Sequence, residues 1–290
     1  LSSSIPRLGQ VSLQDSRWAG FTLVELLVSV LVLVLILLLC TEMLTIVVSS
    51  WNLGRAQADN FSKARVALDI IAQDVEAEVV RQDLPAFFNT TAPALTFYTK
   101  EPGLLSPTTT GTRPLSRVLY YVTNEADGSC VLRRSANGFN FGDDVGYSPA
   151  TWSVQMNTPT IDADIGPGVL IMNYQFIGTS GLNIVPANVN NAWANSGTLP
   201  GIGNLRAVII SMAVIDGRSL KVLTGMGKLS QLQTNFSTSD PGPIASFASS
   251  WQAQLEGATQ PLRTGGIPAS VLTGLKTFER TVMLPALTKE

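Results

Sequence analysis

Gly20, Phe21 and, four residues beyond the phenylalanine, Glu25 stand at the start of the most apolar stretch of the chain, AGFTLVELLVSVLVLVLILLLC at residues 19–40. A carboxyl group in such a stretch is costly in a bilayer and calls for a cationic partner, or for an escape to the headgroups near the helix end. Other acidic pairs offer oxygen ligands of the kind calcium takes. Asp143-Asp144 and Asp162 with Asp164 are candidates, but neither fits the spacing of a twelve-residue calcium loop, and both read as solvated turns. Histidine is absent, which removes the commonest general base and metal ligand. The glycine-rich stretches GPGV and GIGN lack the lysine and helix of a phosphate loop. No acid–base pair emerges. The expectation is a protein without catalytic residues, metal or cofactor.

The element that must carry Glu25 is a helix. From Phe21 to Cys40 only Thr22, Glu25 and Ser29 are polar. These residues span about 30 Å as a helix, the thickness of a bilayer core. Arg7 and Arg17 precede the run, and the next cation is Arg55. The charge bias places the N-terminus in the cytoplasm and the rest of the chain on the far side. The residues after the run, TEMLTIVVSSW, stay compatible with a helix and show no A-x-A cleavage pattern, unlike an ordinary signal peptide.

Farther on the pattern turns amphipathic. Phe61, Ala64, Leu68, Ile71, Val75 and Val79 form one stripe, with Lys63, Arg65, Asp69, Asp74 and Glu78 assigned to the opposite face. Gly54 is a candidate bend, and Pro85 is expected to end the helix. Strand signals follow. ALTFYT is one. RVLYYVT and SCVLRR flank a turn at Asp127-Gly128, and GVLIMNYQFIG is a long strand. AVIISMAVID runs into Asp216-Gly217 and RSLKVL, which reads as a second hairpin. SFASSWQAQLEG reads as a helix capped by Ser246, while TFERTVML fits strand or helix. Between them lie turn-rich loops, and SDPGPIASF is a candidate linker to the C-terminal part.

The totals agree with one large or two small domains in 290 residues. A net charge of -2 gives no reason to expect a nucleic-acid partner. Cys40 and Cys130 lie far apart and suggest no disulfide.

The sequence from Gly20 to Glu25, followed by the apolar helix, resembles the type IV prepilin and type II secretion pseudopilin superfamily. The resemblance covers about 25 residues. It implies that a prepilin peptidase cuts between Gly20 and Phe21, and that Phe21 is N-methylated. It also implies that Glu25 acts in assembly by meeting the Phe21 amine of a neighbouring subunit. The sequence opens on Leu1, so either leader residues precede it or the start codon is unusual.

The body resembles the J-type minor pseudopilins through Tyr120, Tyr121, Leu132 and Arg133, then Tyr174 to Phe176, Trp193, Leu199-Pro200 and Val208 to Gly217. It departs from them in the inserted GIGNL and in the long tail after Gly227. SKARVALDIIAQDVEAEVVRQDLPAFF resembles the pseudopilin-like proteins of Verru-Chthon cassettes.

The expected fold class is α+β and pilin-like. The expected parts are a leader at 1–20, a transmembrane helix at 21–41 and its amphipathic continuation at 42–84. A β-rich domain at 85–228 and a C-terminal extension at 229–290 complete the chain. The expected role is that of a minor pseudopilin, in or at the tip of a type II secretion pseudopilus. Its partners would be prepilin peptidase, other minor and major pseudopilins, the inner-membrane assembly platform and membrane lipid. It would sit in the cytoplasmic membrane as a single pass with its domain outside. The competing readings are a minor pilin of a type IV pilus, acting in adhesion, motility or DNA uptake, and a periplasmic enzyme or binding protein on a signal anchor.

Overall fold

The computed structural model describes residues 22–79, 87–88, 94–106, 109–138, 162–178, 180–184, 205–238, 241–242, 244–256 and 265–284. The chain divides into two units, Leu1–Leu53 and Gly54–Glu290. The helix α1, Leu23–Glu76, is 54 residues long and runs through that boundary. It contains no proline, and its one glycine, Gly54, is itself helical.

In the first unit, the candidate span Leu23–Asn52 contains an 18-residue window of mean hydropathy 3.2, none of which is buried. Thirty residues of helix measure about 45 Å, enough to cross a bilayer core and continue beyond it. The hydroxyls in this stretch turn back onto the helix. Ser29 donates to Leu26 O and Thr41 to Leu37 O, each at 2.8 Å, and Ser49 donates to Ile46 O at 2.8 Å. No serine or threonine hydroxyl among these three is left without an acceptor, which is what a lipid environment demands.

The second unit is built around the later part of α1. Two sheets supply its partners. The first contains β1 (Phe87–Phe88), β2 (Ala94–Thr99), β3 (Gly103–Ser106), β4 (Thr109–Arg113), β5 (Ser116–Asn124), β6 (Cys130–Gly138) and β7 (Asp162–Pro167). Its path is β1-β2-β5-β6-β3-β4, with β7 also on β6. The second runs β11-β10-β8-β9, from β8 (Val169–Gly178), β9 (Asn183–Ile184), β10 (Leu205–Ile215) and β11 (Leu275–Met283).

Ala64, Leu68, Ile71 and Val75 of α1 are buried in one cluster with Phe97, Val118 and Leu132 of the first sheet and Met172, Ile210 and Met212 of the second. The predicted stripe is therefore core, except at its ends. Phe61 is 56 % exposed, its ring edge-on to Phe278, and Val79 is half-buried.

The opposite face of α1 differs from expectation. Lys63, Arg65 and Asp69 are not buried, but Asp74 and Glu78 are 3 % and 4 % exposed. The first sheet reaches farther round the helix than the apolar stripe does, and it brings a polar partner to Asp74.

The hairpin at Asp127-Gly128 forms as predicted. β5 and β6 pair from Ser116↔Gly138 to Asn124↔Cys130. Asp127 Oδ1 accepts from Ser129 N at 2.8 Å, and Gly128 takes φ 79°, a left-handed conformation that glycine adopts freely.

The second predicted hairpin does not form. RSLKVL lies in helix α2, Gly217–Gly225, and Asp216 caps it by accepting from Arg218 N and Ser219 N. An aspartate before a glycine suits a helix start as well as a turn, and Leu220 and Leu223 are buried at helical spacing. The antiparallel neighbour of β10 is instead β11, through nine pairs from Ala207↔Met283 to Ile215↔Leu275. TFERTVML is thus strand.

Helix α3 (Leu229–Ser237), helix α4 (Phe247–Glu256) and the short α5 (Ala269–Thr273) join α2 in a second core. There Leu220, Leu223, Phe236 and Trp251 pack with Leu170, Ala213 and Ile215 of the second sheet. Ser246 caps α4 as predicted, its Oγ accepting from Ser249 N at 3.2 Å. α1 ends at Glu76, short of the stop expected at Pro85, because the chain there turns to bridge Glu78 with Thr99 of β2; Pro85 itself lies outside the described residues.

Candidate functional site

Glu25 sits in the first turn of α1, where its amide donates to Thr22 Oγ1 at 3.3 Å. Its side chain is exposed. Among the described residues none gives the carboxyl a hydrogen bond or an ion pair. A carboxylate held so in a membrane-length apolar helix needs a cation from elsewhere. Gly20 and Phe21, with the whole predicted leader at 1–20, lie outside the described residues.

A second constellation was not read from the sequence. Asp74 of α1 accepts from Arg134 Nε at 2.7 Å and from Arg134 Nη2 at 3.0 Å. Tyr120 donates its phenol to Asp74 Oδ2, and Arg134 Nε also reaches Tyr120 Oη at 3.3 Å. The register sets Tyr120 opposite Arg134, so neighbouring strands aim both at one helical carboxylate. Burial, and then the Asp74 charge, push the Tyr120 phenol up and keep it a neutral donor. For Arg134 burial works against the charge. The hydrogen bond to Asp74 and the nearby charges outweigh it, so the guanidinium is held more firmly protonated than usual. A two-pronged, hydrogen-bonded pair is the form in which buried charges are tolerated. The arrangement clamps α1 to the first sheet. The sequence signal was faint: Asp74 interrupts the apolar residues Ile71, Ala72 and Val75.

Asp162 and Asp164 fall on strand β7 rather than in the turn expected of them. Asp164 accepts from Arg133 Nε at 3.0 Å, and Arg133 also pairs with Glu125 at 2.9 Å. Among the described residues no three acidic or sulfur-bearing side chains gather around a common point. Asp143 and Asp144 lie outside the described residues, as do Trp193, Leu199 and Pro200. Cys130 is fully buried, burial pushes its thiol up to about 11, and its Sγ donates to Asn124 Oδ1 at 3.3 Å. That thiol is a packing group rather than a nucleophile.

Near the start of the second unit, Phe61, Arg65, Leu68 and Asp69 of α1 face Phe278, Glu279 and Arg280 of β11 across a groove of about 330 Å³. Arg280 pairs with Asp69 there.

Neither the protein-family models nor the curated proteins include a match to this chain. The fold and its polar contacts therefore carry the functional reading by themselves. They define an α+β protein in which a long N-terminal helix, apolar enough in its first part to cross a membrane, packs its later part against a β-rich domain of two sheets. That is a pilin-like architecture.

Proposed function

We propose that the chain is a pseudopilin-like assembly subunit: anchored in the cytoplasmic membrane by α1, carrying its β-rich domain outside, and processed before joining a short filament or its tip. Its work is assembly and not catalysis. One observation supports this most. A single helix serves as exposed apolar segment over Leu23–Asn52 and as the core of a folded domain over Ala64–Val75. An ordinary signal anchor has no need for the second role.

On this reading prepilin peptidase cuts after Gly20 and methylates Phe21, and Glu25 meets the amine so created on a neighbouring subunit. The partners are other major and minor pseudopilins and the inner-membrane platform that extracts them. The test is mass spectrometry of the protein from cells with an active prepilin peptidase. N-methyl-Phe21 as the first residue is the expected result. Residues 1–20 still attached in such cells would overturn the reading.

A further inference from the structure

Just past the end of α1 the chain meets β2. Glu78 bridges to Thr99 in antiparallel fashion. Val79 N donates to Tyr98 O at 2.9 Å, and Lys100 N donates to Ala77 O at 2.9 Å. Thr99 Oγ1 closes the helix end by donating to Asp74 O at 3.0 Å. Within this short junction Glu78 is 4 % exposed, and among the described residues neither of its carboxyl oxygens has a hydrogen-bond partner. Replacing water around an ionised carboxylate with nothing is among the costliest arrangements in a folded protein.

We propose that this junction is a pH-responsive latch, closed while Glu78 carries a proton and loosened when its carboxyl ionises. On ionisation the O–H bond breaks, the proton passes to water, and the electron pair stays on the carboxylate. The charge then has to reach solvent, and the bridge to Thr99 is what confines it.

The groups around it do not relieve the charge. On α1, Asp74 lies four residues back and is committed to Arg134 and Tyr120. Around β2 lie Tyr98, Lys100 and Glu101, and on β5 Arg117 stands opposite Tyr98. Burial lowers the Arg117 guanidinium to about 10, with Tyr98 acting the other way. None of these gives Glu78 a hydrogen bond. Burial alone acts on Glu78, and it holds the carboxyl well above the usual carboxylate range. The latch depends on the junction alone and stands whether or not the chain joins a filament.

The sign follows from proton linkage. The closed junction keeps the proton over a pH range in which an opened one has lost it. Opening is therefore favoured as pH rises from the ordinary carboxyl value, about 4.3, to the higher value of the closed state. Within that window the opening constant grows by up to about tenfold per pH unit. The experiment is amide hydrogen exchange on the full chain in detergent micelles, following Val79 and Lys100 from about pH 5 to about pH 9 and correcting for intrinsic exchange. Wild type should lose protection at these amides as pH rises. Glu78→Gln should hold it constant, and Glu78→Leu serves as a second neutral variant should the glutamine chain not fold. Parallel profiles for wild type and either neutral variant would overturn the latch. So would a wild type that keeps constant protection throughout while both neutral variants lose it at every pH.

Discussion

Arg134 grips Asp74 with two hydrogen bonds, Nε to Oδ2 at 2.7 Å and Nη2 to Oδ1 at 3.0 Å, joining β6 to α1 beside its apolar stripe. Sixty residues separate the two in sequence. Asp74 is buried and Arg134 half-buried, so the carboxylate has little water to turn to and the pair ties the helix to the first sheet.

Breaking that pair from one side should be more harmful than removing it whole. Asp74→Ala leaves the Arg134 guanidinium and the Tyr120 phenol buried without their acceptor, at a cost of about 3–5 kcal/mol. Asp74→Leu combined with Arg134→Leu should recover part of that loss. Urea unfolding of the full set in detergent gives the coupling directly. Additive single and double losses would mean that the contact is incidental.

Gly274 is where three elements of the second unit come together, and it has no room for a side chain. A Cβ there would collide with Asp216 and Ser219, the first residues of the capped α2. Its carbonyl meanwhile accepts from Asp216 N at 3.2 Å and from Asn60 Nδ2 of α1 at 3.5 Å. Gly274→Ala should therefore cost about 3 kcal/mol or more, by prising α2 from the start of β11. Its backbone is ordinary right-handed helical, at φ -78°, so the loss is steric. A thermal melt within a degree of wild type would show that the helix can shift aside freely.

On the proposed function, Glu25 serves assembly and leaves insertion alone. Glu25→Ala should insert in the membrane and be processed as the wild type is, because removing a charge eases entry into lipid. It should fail to recover partner subunits on crosslinking and co-purification from membranes, with Glu25→Asp in between because its arm is shorter. Full partner recovery by Glu25→Ala would mean that the carboxyl merely reaches the headgroups and that subunits associate through the globular domain.

Much of this protein was legible along the chain because the signals are local. The apolar run, the stripe Ala64, Leu68, Ile71 and Val75, the Asp127-Gly128 turn and the Ser246 cap each depend on residues within a few positions. Backbone sterics and side-chain spacing read them without help from the rest of the fold. Glu25 stood out in the same way, as a charge where apolar residues should be. Tertiary structure decided what depended on distant partners. Asp216-Gly217 is chemically suited to a hairpin or to a helix start. The helix won because β11, some sixty residues later, occupies the neighbouring place on β10 through nine pairs, while α2 buries Leu220 and Leu223 beneath it. Asp74 and Glu78 look like solvent-facing charges by helical spacing alone. They are buried because the first sheet wraps past the apolar stripe, and far-off residues set their surroundings: among the described residues Arg134 and Tyr120 meet Asp74, and none gives the Glu78 carboxyl a hydrogen bond.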